Sequence, residues 1–253
     1  PSSAASDVYK RQGYNKIKHI PKNKMKWVAV SAFVGSFFPA YLFAFAETEI
    51  SSSVTAVMVS LTPLFTLLIS VIIFGEELLK KQVIGVIIGF LGIVVLINNE
   101  LLSSSFNILY VMFIVLAAFC YAVNANLLKY KLPNIPALGI VFMSFLFMFI
   151  PAFIVLFFSD FPFSDFTSDP LILESIIYIV ILALFGTAIA KVMYIKLLAI
   201  STPVFSVSTT YLMPVVAIFW GLLDGEEFKL TQFIGTSIIL IGVYLVTKKK
   251  GTH

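Results

Sequence analysis

Lys191 lies inside FGTAIAKVMYIKLLAI, an apolar run that holds no acid. A lysine at such a depth in a bilayer costs several kcal/mol unless it meets water, a partner or a substrate. At helical spacing Thr187, Lys191 and Tyr194 share one face, a polar stripe on an otherwise apolar helix. Such a stripe suits an anionic or zwitterionic group moving through a wet pathway. The competing explanation is snorkelling: Lys196 lies about 7.5 Å further along, and a long side chain can reach toward the headgroups. Intramembrane charge is functional by default, which favours the pathway.

A second group surrounds two prolines. Pro63 and Pro214 interrupt apolar runs, and each leaves a carbonyl, that of Val59 or Thr210, without its usual helical donor. In lipid such a break persists where neighbours, hydroxyls or a wet cavity supply replacements. Ser60 and Thr62 stand near one proline, and Thr209 and Thr210 near the other. Broken helices in repeated membrane folds tend to mark the substrate site, and a kink that only shapes packing is the equal alternative. Asn124 and Asn126, in CYAVNANLLKY, read as interhelical glue before substrate contact. Tyr41, Tyr211 and Trp220 are candidates for a cavity wall or for interfacial anchors.

Several chemistries find no support. The chain has no G-x-x-x-x-G-K-[ST] loop for ATP and no H-E-x-x-H pair, while His19 and His253 lie in terminal segments. We therefore expect no cofactor, no metal and no enzyme activity, since no acid, base and nucleophile cluster at one depth. Cys120 is the single cysteine and lies in an apolar run, which suits a packed thiol. No Asp or Glu falls at mid-membrane, although Glu47 and Glu174 sit near the outer ends of their spans. Transport would then be exchange or facilitated, or coupled through Lys191 or through helices outside this sequence.

Composition says what positions these residues. The chain of 253 residues is 60% hydrophobic and 12% charged, with a mean hydropathy of +1.02, which leaves too little polar surface for a soluble domain. Apolar windows long enough to cross a bilayer fall near 27–46, 52–74, 83–98, 106–128, 137–158, 173–198, 203–223 and 231–247, so eight transmembrane helices are expected. The net charge of +4 reflects lysines gathered in alternate loops, so no nucleic-acid partner is implied. Lys80 and Lys81, Lys129 and Lys131, Lys196, and Lys248 to Lys250 share a side with the basic N-terminal segment, and both ends are expected in the cytoplasm.

The windows also repeat. ISSSVTAVMVSLTPLFTLLISVIIFGEELLKKQVIGVIIGFLGIVVLI from Ile50 recurs as ISTPVFSVSTTYLMPVVAIFWGLLDGEEFKLTQFIGTSIILIGVYLV from Ile200. Gly75-Glu76-Glu77 matches Gly225-Glu226-Glu227, Gln82 matches Gln232, and Gly85 and Gly92 match Gly235 and Gly242; Pro63 and Pro214 slip by one position. The copies begin at the second and seventh windows, so the unit is five helices long and the second copy is inverted. Only one window precedes the first copy where three would be needed, so the whole protein is expected to hold ten helices in two inverted five-helix repeats. Gly85-Val-Ile-Ile-Gly89 predicts close helix packing, within the fold or in a homodimer.

The expected organisation follows. Residues 1–12, PSSAASDVYKRQ, match the translation of a library-preparation transposon end from Asp7 to Gln12 and are set aside as a cloning scar. Residues 13–26 form a basic cytoplasmic loop, 27–100 the three remaining helices of the first repeat, 101–247 the five of the second, and 248–253 a basic tail.

SLTPLFTLLISVIIFGEELLKKQVIGVIIGFLGIVV and TYLMPVVAIFWGLLDGEEFKLTQFIGTSIILIGVYL, with Pro, Gly-Glu elbow, Gln and glycine-rich helix in register, resemble the EamA-type branch of the drug/metabolite transporter superfamily. The resemblance covers Trp27 to Val246. It implies ten helices in two inverted repeats and a secondary carrier that moves a small organic molecule across the inner membrane by alternating access. A non-transporting membrane scaffold or sensor is the alternative. The partners implied are a small-molecule substrate and the lipid bilayer.

Overall fold

Backbone groups in lipid must pair within their own segment, so isolated apolar runs of this length become helices. In a computed structural model that describes residues 20–50, 55, 58–77, 79–96, 108–159, 170–212, 216 and 230–247, every regular element is helical. α1 spans Lys22–Ala46, α2 Thr62–Phe74, α3 Lys80–Leu96, α4 Ile108–Lys131 and α5 Ala137–Phe157. α6 runs as Pro170–Ile181, Leu182–Ile189 and Ala190–Ile200. α7 is Pro203–Ser208, followed by a 3₁₀ turn at Thr209–Leu212, and α8 is Leu230–Thr247. Among the described residues, α1, α4, α5 and the Glu174–Ile200 stretch of α6 are long and apolar enough to cross a membrane. The chain is an all-α membrane protein. Pro214, Trp220 and the Asp224 to Glu227 elbow lie outside the described residues.

Local chemistry sets the helix ends. α1 begins after Pro21, ahead of the apolar window, because Lys22, Lys24 and Lys26 are good helix formers that can keep their ammonium groups in water. Pro63 falls in the first turn of α2, where its missing N–H has no helical partner to lose. That helix ends on Gly75, whose φ of 66° is left-handed. Its N–H donates to the Val71 carbonyl at 3.1 Å, and the N–H of Glu76 donates to Ser70 at 3.1 Å. The glycine of the first Gly-Glu-Glu elbow is thus the residue that lets the chain leave the helix at little steric cost.

The chain divides into two compact units. One comprises residues up to Phe33 together with Lys131–Ile200, and in it the Lys22–Ala32 part of α1 and the C-terminal part of α6 pack on α5. The other comprises Val34–Tyr130 and Ser201–His253, and its centre is the pairing of α3 with α8. There the glycines bring backbone onto backbone. A Cβ added at Gly242 would stand 2.5 Å from the Gly89 nitrogen, one at Gly85 2.7 Å from the Gly242 oxygen, and one at Gly92 3.0 Å from the Gly235 oxygen.

These contacts run antiparallel and exchange repeat-equivalent residues: Gly85 meets Gly242 as Gly92 meets Gly235. A two-fold axis between the helices generates that pattern. The glycine face is therefore filled within the chain. Tyr211, wholly buried, lays its ring against Gly89 and donates its hydroxyl to the Val86 carbonyl at 3.1 Å. Ile93 and Ile239 close over it, while Leu67, Val86, Val204 and Val246 form the neighbouring cluster.

Gly242→Ala should lower stability in detergent by about 1–3 kcal/mol, because the new methyl meets backbone that cannot swing aside. Gly186→Ala, where the methyl meets only the flexible end of Leu182 at 2.9 Å, should leave the thermal midpoint near that of the parent. Equal midpoints for the two variants would show that α3 and α8 do not approach this closely.

Candidate functional site

The polar stripe of α6 begins in an unusual stretch of helix. Leu182–Ile189 is π-helical, and Lys191 follows it within the Ala190–Ile200 turn sequence. Thr187 is exposed, whereas Lys191 and Tyr194 are half-buried. The Lys191 ammonium lies 5.8 Å from the centre of the Phe145 ring on α5, within range of a cation–π attraction worth about 0.5–2 kcal/mol depending on desolvation. Phe145 is eight residues into α5, or about 12 Å along the helix. The ring thus engages the ammonium alongside the middle of a spanning helix. Lys196, one and a half turns on, is exposed.

A second π-helical stretch occupies Phe33–Phe37 of α1. It contains Val34-Gly35-Ser36, and the π stretch of α6 contains Phe185-Gly186-Thr187. The spacing between these triplets equals that between Pro63 and Pro214, so the two stretches occupy matching places in the repeat. π-Turns are rare and tend to occur at functional sites, because they displace one backbone pairing and widen the helix. Gly35 packs directly on the Asn124 side chain of α4, leaving no room for a Cβ. Asn124 is buried, so it joins α4 to the π turn of α1.

The remaining candidates divide by what their polar groups touch. Thr62 Oγ1 donates at 2.6 Å to the carbonyl of Val59, ahead of the helix, and Thr66 Oγ1 donates to the Thr62 carbonyl at 2.8 Å. Ser60 and Pro63 are buried beside them. Thr209 and Thr210 donate to the carbonyls of Ser206 and Val207, at 2.7 and 2.8 Å. The described hydroxyl contacts near both prolines therefore include bonds to the local backbone. Asn126 is an interhelical tie: its Nδ2 donates to Thr66 O at 3.2 Å and Ala122 O at 3.0 Å, and its Oδ1 accepts from Ser70 Oγ at 2.7 Å. Tyr211 sits in the α3–α8 core described above.

Within the first unit, then, the structure brings Lys191 to Phe145, with Tyr194 three residues further along α6. Within the second it brings Ser60, Thr62 and Pro63 to the start of α2, places Thr210 and Tyr211 on the turn after α7, and seats Asn124 on α4 against Gly35. Phe145 and the two π stretches escaped the sequence reading. Phe145 is one of 26 phenylalanines and nothing local singles it out. The π stretches carry only the Gly-Ser and Gly-Thr pairs as a signal, and the repeat as read began after the first of them.

Comparison with known proteins places this architecture. The profile of the EamA-like transporter family matches residues 11–98 and 108–248. An Archaeoglobus fulgidus protein described as an uncharacterized transporter is 29% identical over 234 residues, which cover 90% of this chain and 79% of that protein. An Escherichia coli K12 protein, described as the uncharacterized inner membrane transporter YedA, is 28% identical over 204 residues, 80% of this chain and 64% of its own length. A solved crystal structure superposes with a TM-score of 0.71 over 96% of this chain and 82% of its own, at 17% identity, a likeness of fold.

Asn126→Ala should destabilise the protein by about 1–2 kcal/mol, the value of a good interhelical hydrogen bond in a membrane protein. Unfolding in a detergent titration reads this loss, and an unchanged midpoint would mean that α2 and α4 do not depend on the tie.

Proposed function

The chain belongs to the EamA-like transporter family, and on that premise we propose that it is a secondary carrier moving a small organic metabolite or drug-like solute across the cytoplasmic membrane by alternating access. The observation that carries this reading is the Lys191 ammonium against Phe145, next to a π turn that recurs in the repeat-equivalent helix. A cation so placed favours a solute with a carboxylate or phosphate, free or zwitterionic, because such a group offsets the cost of keeping the ammonium away from water. Phe145 steadies the ammonium when no solute is bound, since a ring face attracts a cation without neutralising it.

The π turns supply the motion. A π turn can pass its extra residue along the helix by exchanging one hydrogen bond for another, so α1 and α6 can bend there while the turns on either side stay intact. Matching flex points in two inverted halves are what exchange between inward-open and outward-open forms requires. The glycine-packed pair α3 and α8 has no comparable slack and acts as the fixed element. Both chain ends face the cytoplasm in this scheme, by the distribution of lysines among the loops.

In proteoliposomes loaded with a panel of labelled amino acids, carboxylates and phosphorylated metabolites, the protein should exchange at least one solute. Lys191→Ala should reduce that flux at least tenfold, Lys191→Arg should retain part of it, and Lys196→Ala should leave it near the parent value. Equal flux in the two alanine variants would remove Lys191 from the pathway. No flux of any solute by the parent protein would favour the scaffold or sensor alternative.

A further inference from the structure

We propose that Ser144 is a specificity-determining residue of the Lys191 site, its hydroxyl donating to the anionic group whose charge Lys191 offsets. The proposal rests on the reading of Lys191 as the cation of the pathway. It starts from an unsatisfied polar atom. Ser144 lies on α5, is wholly buried, and its Oγ has no hydrogen-bond partner among the described residues. Thr55, Tyr130 and Thr236 are the other described residues with such a hydroxyl, and all three belong to the second unit.

Helical hydroxyls elsewhere in the chain commonly turn back to their own backbone. Thr66, Ser208 and Ser237 each donate to the carbonyl four residues earlier, at 2.8, 2.7 and 2.8 Å. Ser144 makes no such bond to Ile140, although serine inside a helix can do so. A buried hydroxyl left this way carries a desolvation cost with no return. In a native structure such a group points to function or to a species bound in another state.

Its position says which species. Ser144 directly precedes Phe145, whose ring holds the Lys191 ammonium, and successive Cα atoms stand ~3.8 Å apart. It shares the buried stripe of α5 with Ile140 and Val141. Lys22–Ala32 of α1 and Ala190–Ile200 of α6 pack on α5, and on α6 Lys191 stands one turn before the buried Ile195, on the same face. Ser144 and Lys191 thus meet one helix junction from α5 and from α6. An ammonium is a compact charge that draws any anion, whereas a hydroxyl donates in one direction. Together they select an oxyanion with two acceptor oxygens, a carboxylate or a phosphate, over a spherical anion such as chloride. Ser144 is closed off in this conformation. The π stretch of α6 ends at Ile189, two residues before Lys191, so a shift of that turn moves the Lys191 segment over α5 and opens Ser144 to the solute.

Thermal melting of the whole chain in detergent, with and without millimolar succinate or glycerol 3-phosphate, tests the assignment. Without solute, Ser144→Ala should melt at or above the parent, because it removes a buried hydroxyl that nothing satisfies. At least one of the two solutes should raise the parent's midpoint where sodium chloride of equal ionic strength does not. The apparent affinity read from that shift should fall at least tenfold in Ser144→Ala, the loss of one charge-assisted hydrogen bond. Ser144→Cys, whose thiol is a weak donor of similar shape, should fall between the two. A lower midpoint for Ser144→Ala without solute would mean that the hydroxyl is satisfied inside the protein and would overturn the proposal, as would equal affinity in parent and variant. Lys191→Ala should also abolish the shift. A shift lost there but kept in Ser144→Ala overturns the Ser144 assignment alone, whereas one kept in both variants, or absent from the parent, overturns the Lys191 reading with it.

Discussion

The close approach of α3 and α8 is the constraint around which the second unit is organised. Lipid offers no hydrophobic gain for pairing two apolar helices, so association there depends on how near the backbones can come. Gly85, Gly89, Gly92, Gly235 and Gly242 remove the side chains that would hold these helices apart. Tyr211 then uses the space over Gly89, and its hydroxyl reaches a backbone carbonyl. α7 is tied to the same pair through Val204, which packs with Val86 and Val246. A chain of side chains thus leads from one glycine face to α2, through Leu67, and to α7, through Val204.

The first unit is organised differently. Among its described residues the core is thinner and most of α6 is exposed, as suits a helix that meets lipid or a pathway along much of its length. The polar stripe of α6 holds a cation to a ring, with Thr187 and Tyr194 on the same helix face. In the proposed carrier the glycine-packed pair supplies rigidity, while the π turns, one in α6 of the first unit and one mostly in the part of α1 that belongs to the second, supply adaptability.

Much of the fold was legible from the sequence because apolar length is a direct record of membrane thickness. The windows near 106–128 and 137–158 become α4 and α5 with shifts of a few residues. Where they differ, the lysines at the ends of α1 and α4 extend the helix into the headgroup layer, which a hydropathy window does not count as span. The site was legible only in part. Lys191 stands out because charge in an apolar run is conspicuous, while Phe145 does not, since its role arises from the packing of α5 against α6. Tyr211 offered a cavity wall or an interfacial anchor as readings. The structure gives it a place in the core because a missing side chain on another helix, at Gly89, makes room for the ring. The π stretches were hidden because a Gly-Ser or Gly-Thr pair is too short a signature for a shifted hydrogen-bond ladder.

The glycine pairing also binds the two halves historically. Duplicated segments ordinarily drift apart, each exploring its own substitutions. Here Gly85, Gly92 and Gly242 each face backbone contributed by the other copy, so neither copy can enlarge one of these residues without displacing its sister. Specialisation of the two halves is thereby channelled away from α3 and α8 and into the helices that carry Lys191 and Asn124, where one copy can acquire a charge that its counterpart lacks.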